Sequence, residues 1–345
     1  MHTIDLKNNS LRTDLIIDEI SRNQETKIAT KKIIEKENIT SEEIKIDKEL
    51  EKKLKKKPGI YRTVTFKDVT DKHNFKEVEQ AVITALKSTY EDINLTKDSK
   101  VLVIGLGNEE STADSLGPKS MNHVLVTRHL FLLGDVEEGY RNVASFKPSV
   151  TGVTGIETKD LIEGITEKIK PDLLIVIDAL ASNSIDRLNK TIQITTSGIS
   201  PGSGIGNNRV EISKETMNIP VIALGVPTVV EATTIVQDTL QLLLKQISYK
   251  MENQQNMKLK LIPNESEDYQ KHEEKLSDDQ KEDVLGMVGL LNEQELKKLL
   301  LEVLLPVNYN MMVTPKEIDY VIEKLSLLIG NAINKSLHEH FNPTN

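Results

Sequence analysis

LLIVIDALAS, Leu173–Ser182, and VLVIGLGNEESTADSLGP, Val101–Pro118, decide the fold. Each opens on a short run of Val, Leu and Ile that reads as a strand buried on both faces of a parallel sheet. Each run leads to an aspartate, Asp178 in the first and Asp114 in the second. In an open α/β sheet, ligands bind outside the carboxyl ends of the strands. Two strands of one sheet would therefore bring both carboxylates to the same rim. A carboxylate pair can activate water for hydrolysis without Ser, Cys or metal.

Outward from these stretches, strand and helix patterns alternate. Residues 100–105, 173–178, 191–196 and 219–225 read as buried strands. Residues 117–133, 158–170 and 229–249 read as helices, with Thr158 as an N-cap. This alternation predicts a parallel-rich central sheet flanked by helices and joined by right-handed crossovers. Before this core, residues 60–66 alternate like a strand and residues 75–90 carry helical spacing. Residues 1–57 are polar and rich in Lys and Glu. The charge run 49–57 reads as a solvated face ending in the Pro58-Gly59 turn. Residues 250–280 form a polar insertion or linker. The tail returns to helix over 283–291, 293–305 and 315–338, the last capped by Thr314 with Pro315 in its first position.

Composition narrows the class. The chain has 345 residues, enough for about two domains or one large domain with additions. Aromatics are 3% and Trp is absent, so the core must be aliphatic. A net charge of −9 argues against a general nucleic-acid binder. With no Cys, thiol catalysis, disulfides and Cys-based zinc sites are excluded. No secretory signal and no run of about 18 apolar residues is visible, so no membrane span is expected.

Three motifs fail on their chemistry. Gly105-Leu106-Gly107 after a strand invites a dinucleotide reading. The third glycine of that fingerprint would fall at Glu110, whose charge would repel a pyrophosphate. Gly198-Ile199-Ser200-Pro201-Gly202 spells the nucleophile elbow of serine hydrolases. Pro201, however, has no N–H to give an oxyanion hole. The glycines around it read better as a loop whose N–H groups could hold a carbonyl, carboxylate or phosphate. The seven His residues show no metal-binding spacing, and His129 reads as structural.

The motifs resemble those of the germination protease family of spore-forming bacteria. The matching stretches include LRTDL (11–15), KKPGIY (56–61), VIGLGN (103–108), ADSLGP (113–118), TGVTGIET (151–158), VIDALAS (176–182), SGISPGSGIGNNR (197–209), PVIALGVPTVVEA (220–232) and MMVTPKEID (311–319). More distantly, the strand followed by GxGN and a downstream acid resembles the hydrogenase maturation endopeptidases, which implies their α/β fold.

The resemblance implies an endopeptidase of an atypical aspartic type. It would begin the degradation of small, acid-soluble spore proteins at germination and reside in the cytoplasm of the forespore or spore core. It implies a self-processing zymogen, a homotetramer, no cofactor, no direct nucleic-acid contact and no membrane. The family's proposed catalytic aspartates fall on Asp114 and Asp178. Its processing site falls near Asp14-Leu15, where cleavage follows an acidic residue. Ile16 departs from the Ala preferred two positions after the bond. Gly202 and Gly204 are expected to offer N–H groups to the oxyanion, and Glu157 and Arg209 to orient substrate.

The expected organisation is a propeptide at 1–14, an arm and the start of the protease domain at 15–99, and an α/β catalytic core at 100–249. The linker at 250–280 and a C-terminal helical region at 281–345 complete it. Two other classes fit the same residues. One is a metal- or phosphate-dependent hydrolase on the same scaffold, and the other a non-catalytic binder of spore proteins.

Overall fold

A computed structural model describes residues 14–22, 30–54, 56–134, 136–202, 210–252, 272–304 and 311–341. Nine strands form one mixed sheet among these residues. They are β1 (Thr30–Glu35), β2 (Ile39–Ile46), β3 (Gly59–Phe66), β4 (Val101–Gly105), β5 (Val143–Phe146), β6 (Leu173–Ser182), β7 (Thr191–Thr195), β8 (Val221–Glu231) and β9 (Met312–Val313). Their order is β1-β2-β3-β7-β8-β6-β4-β5, with β9 against the end of β8. The α/β architecture read from the sequence, with parallel strands and flanking helices, is present. Its parallel part holds β4 between β5 and β6. The other flank, β1-β2-β3-β7-β8, is antiparallel.

The chain divides into two units. The larger comprises Arg12–Ser182, Asp186–Val229 and Thr314–Asn345; the smaller is built on Asn183–Ile185 and Val230–Val313. In the smaller unit, helices Ala232–Glu252 and Glu293–Leu304 are joined by Gln237, which donates to the Glu293 carbonyl at 2.8 Å. Lys297 and Glu231 form a buried ion pair there at 2.5 Å.

The larger unit follows from strand alternation, because successive side chains face opposite sides of a sheet. Val101, Val103, Leu173, Ile175 and Ile177 enter one core, covered by helices Lys72–Asp92 and Ile318–Leu337. Leu102, Ile104, Leu174 and Val176 enter the core on the other face with Ile162 of helix Thr158–Ile169. Asp71 starts the long helix by accepting from the His73 and Asn74 N–H groups. Buried Arg62 binds Glu43 and Asp92, each at 2.6 Å, and so ties β2, β3 and that helix together.

Several sequence readings change in detail. The helix expected over 117–133 is broken into Leu116–Ser120, a 3-10 turn at Met121–His123 and Arg128–Leu133. Thr127 explains the break: its hydroxyl donates to the Arg141 carbonyl and accepts from the Val143 N–H at 2.9 Å, pinning the chain to β5. The polar region before residue 57 contributes β1, β2 and helix Lys48–Leu54. The N-cap of Thr158–Ile169 is Glu157, not Thr158. The last helix starts at Ile318, and the Thr314 hydroxyl donates to the Thr228 carbonyl at 2.8 Å in place of capping it. No described helix is long and apolar enough to cross a membrane.

The end of that helix carries a pH-sensitive contact. Buried His338 accepts the Arg141 backbone N–H at Nδ1, 3.1 Å away. Burial, reinforced by the Arg141 charge, lowers its pKa to about 4. The unfolded chain binds the proton first, near the ordinary histidine value of about 6.5. The contribution is therefore complete above that value and is lost as pH falls towards 4. Urea midpoints of the wild type should fall over this window, and His338→Gln should flatten that fall.

Candidate active site

The site is built where the β4–β6 ladder ends. That ladder runs from Val101 opposite Leu173 to Gly105 opposite Ile177, so Asp178 is the first residue of β6 beyond it. Asp178 is 5% exposed, and the Ala179 N–H donates to its Oδ1 at 2.9 Å. Beyond β4, the Leu106 N–H donates to the Ile177 carbonyl at 2.8 Å. The chain then turns through Gly107, with φ +111°, where a Cβ would collide with the Asp114 carbonyl oxygen. Only glycine tolerates both constraints.

Asp114 closes a 3-10 turn, Thr112–Asp114, and is half-buried. Its N–H donates to the Ser111 carbonyl at 2.8 Å, and its Oδ2 accepts the Asn108 N–H at 2.9 Å. The next element, Leu116–Ser120, lies directly on the sheet. A Cβ on Gly117 would strike the carbonyl oxygens of Leu106 and Ile177. Asp114 and Asp178 thus stand on one rim, with the Leu106–Ile177 bond and the close approach of Gly117 joining the segments that carry them.

Glu157 follows β5, on the far side of β4 from β6, and its Oε2 accepts from the Thr151 hydroxyl at 3.3 Å. Gly202 ends the described part of the Gly-rich loop, which follows β7. The start of β8 lies beside the start of β6, since the Leu174 N–H donates to the Pro220 carbonyl at 3.0 Å. β7 runs antiparallel to β8, so the loop leaves the sheet at the edge opposite the aspartates. Ile199 bridges Ile212 there. Gly204 and Arg209 lie outside the described residues. Ser200 is half-buried and follows that isolated bridge, with a turn at 201–202, not the strand-to-helix elbow of a serine nucleophile.

Asp14 and Leu15 are docked on the sheet. The Asp14 N–H donates to the Ala181 carbonyl at 3.2 Å, and the Ala181 N–H returns a bond to Asp14 Oδ2 at 2.9 Å. The buried Gln193 carboxamide brackets Leu15. Its Nε2 donates to the Asp14 carbonyl at 3.2 Å, and its Oε1 accepts the Ile16 N–H at 2.7 Å. Leu15 and Ile16 are both 0% exposed, and Ile16 packs with Ile44, Ile46, Leu54 and Tyr61. Residues 1–13 lie outside the described residues.

Sequence reasoning missed Asn108, Gln193 and Thr228. Asn108 meets Asp114 through its backbone N–H, while its Oδ1 accepts the Glu110 N–H at 3.1 Å, the local turn bond that favours Asn there. Gln193 is a buried polar residue inside a strand pattern, and Thr228 lies past the strand read at 219–225, in the part of β8 that continues to Glu231; burial demands a partner for each. That requirement is their only sequence signal. Among the described residues, no group of three or more His, Asp or Glu is placed to hold a metal ion.

Comparison with known proteins agrees with these motifs. The family model described as germination protease matches residues 10–345. The germination protease of Bacillus cereus (strain AH187) is 42% identical over 359 residues, covering 99% of this chain and 97% of that protein. The germination proteases of Bacillus mycoides (strain KBAB4) and Bacillus anthracis (strain A0248) match with the same identity and coverage. Among solved structures, a nickel–iron hydrogenase maturation protease from Thermococcus kodakarensis is 15% identical, with a TM-score of 0.28, covering 42% of this chain and 80% of that one.

Proposed function

Because this chain belongs to the germination protease family, we propose that it is an endopeptidase that begins the breakdown of small, acid-soluble spore proteins at germination. The observation that carries the mechanism is the placement of Asp114 and Asp178 on one rim of the parallel strands. One carboxylate takes a proton from the attacking water, and the other, protonated, gives a proton to the departing amine. Collapse of the tetrahedral intermediate breaks the C–N bond and leaves a free acid and a free amine. Glu157, one strand further out, orients the substrate chain.

The proposal extends to an N-terminal propeptide removed by the protein itself, a homotetrameric assembly, and a place of action in the spore core. It takes the substrate to be a protein that coats DNA, with no direct nucleic-acid contact by this acidic chain.

The test is incubation of the purified chain with a small, acid-soluble spore protein, with fragment masses read at intervals. Fragments starting after acidic residues are expected, and they should form in excess chelator. Loss of cleavage in chelator with recovery on adding metal would support the metal-dependent reading. Binding without fragments would support the non-catalytic one. A native mass four times that of the chain is expected in sedimentation.

Serine-directed inhibitors should not slow cleavage, and Ser200→Ala should stay within about threefold of wild type. A loss above ~100-fold in the folded variant would restore a serine nucleophile.

A further inference from the structure

We propose that Thr228 is a positioning residue that holds Asp114 at its working distance from Asp178. This inference rests on the reading of those two aspartates as the reacting pair. Thr228 lies in β8, beside the strand that carries Asp178, and is 1% exposed. Its hydroxyl donates to the Ala113 carbonyl at 2.6 Å.

That carbonyl belongs to the peptide joining Ala113 to Asp114. The N–H of the same peptide donates to the Ser111 carbonyl. The peptide plane that sets the direction of the Asp114 side chain is thereby held at both ends. The Ser111 and Asn108 bonds come from within the turn itself and would move with it. The Thr228 bond comes from the sheet, so it fixes the turn relative to β6. Thr228 is in turn held from behind, since its own carbonyl accepts the Thr314 hydroxyl. This use of Thr314 accounts for its failure to cap the last helix. Pro227, just before Thr228, has no N–H and leaves only its carbonyl to the Asn189 N–H.

A hydroxyl acting this way should affect the rate of the chemical step and not the hold on substrate. A misplacement on the order of 1 Å at a reacting group costs up to ~10²-fold in rate. The pair's titration also depends on its spacing, because its apparent pKa values belong to both groups together.

The experiment uses the full processed chain, with a small, acid-soluble spore protein as substrate. Thr228→Val keeps the shape and removes the hydroxyl. Its kcat should fall roughly 10- to 100-fold with KM within about twofold, and its pH–rate profile should shift. Thr228→Ser restores the hydroxyl and should recover most of the rate and the wild-type profile. If Thr228→Val does not fold, Thr228→Ala, which adds no bulk, takes its place in the same comparison. A folded variant without the hydroxyl that keeps wild-type kcat would overturn the inference. So would a loss carried by KM, an unmoved pH profile, or a Thr228→Ser protein as impaired as Thr228→Val. Asp114→Asn keeps the two failures apart. If it remains active, the dyad reading is wrong. If it is inactive while Thr228→Val is normal, only the positioning role is wrong.

Discussion

Asp114→Asn and Asp178→Asn should each lower the rate of peptide cleavage by at least ~10²-fold, the range for a removed acid–base group. Both proteins should stay folded. Asn has the volume of Asp and keeps one carbonyl oxygen. That oxygen can accept the Asn108 N–H at position 114 or the Ala179 N–H at position 178, as the carboxylates do. What each variant loses is the ability to exchange a proton near neutral pH. With one acid neutral at all pH values, the remaining carboxylate has no partner with which to share a proton. The residual activity should therefore lose one limb of its pH dependence. Rates on a spore-protein substrate across pH, with circular dichroism and melting curves as controls, decide the matter. Turnover near wild type in either folded variant would remove the pair from the mechanism.

How much of this was legible in the sequence depends on where local pattern dominates. Strands buried on both faces announce themselves, because a run such as Leu173–Ile177 has no other stable place in water. The helix over Lys72–Asp92 was equally plain, since its apolar stripe repeats at helical spacing. That both aspartates lie beyond the β4–β6 ladder was legible as well, from their position after such runs. What could not be read was set by distant partners. β6 continues past Asp178 to Ser182, and Asp14 supplies bonds to Ala181 in that extension. The helix break at Val124–Thr127 depends on Arg141 and Val143. β1 and β2 were hidden by polar residues: β1 carries Lys31, Lys32 and Glu35, and in β2 Ile39 enters one core and Ile44 and Ile46 another, with Thr40, Ser41, Glu42, Glu43 and Lys45 between them. Thr314 looked like a cap, and its true partner, Thr228, is 86 residues away.

The largest effect at the N-terminus should come from the same active-site change. We expect the intact wild-type chain to be trimmed to a protein beginning at Leu15, and the Asp178→Asn chain incubated alone to stay full-length. The docked geometry adds a condition to this expectation. Asp14 pairs with Ala181, three residues along β6 from Asp178, and at about 3.3 Å per residue that is ~10 Å of strand. A bond to be cut must lie within about 3.5 Å of the attacking oxygen. The Asp14–Leu15 segment must therefore leave its seat to be cut, and buried Leu15 and the Gln193 bracket oppose that movement. Two substitutions should then act in opposite directions. Gln193→Leu removes both bracket bonds without altering the residues at the cut. At about 1 kcal/mol per bond, it should quicken trimming roughly tenfold or more. Asp14→Ala also frees an anchor, at Ala181, but it removes the acidic residue before the bond, and trimming should slow. Intact-mass measurements over time separate these results. A new N-terminus far from residue 15, or trimming by Asp178→Asn unaided, would refute self-cleavage here. Slower trimming by Gln193→Leu would show instead that the bracket presents the bond for cutting, and the seat on β6 would then be the reactive position and not the resting one.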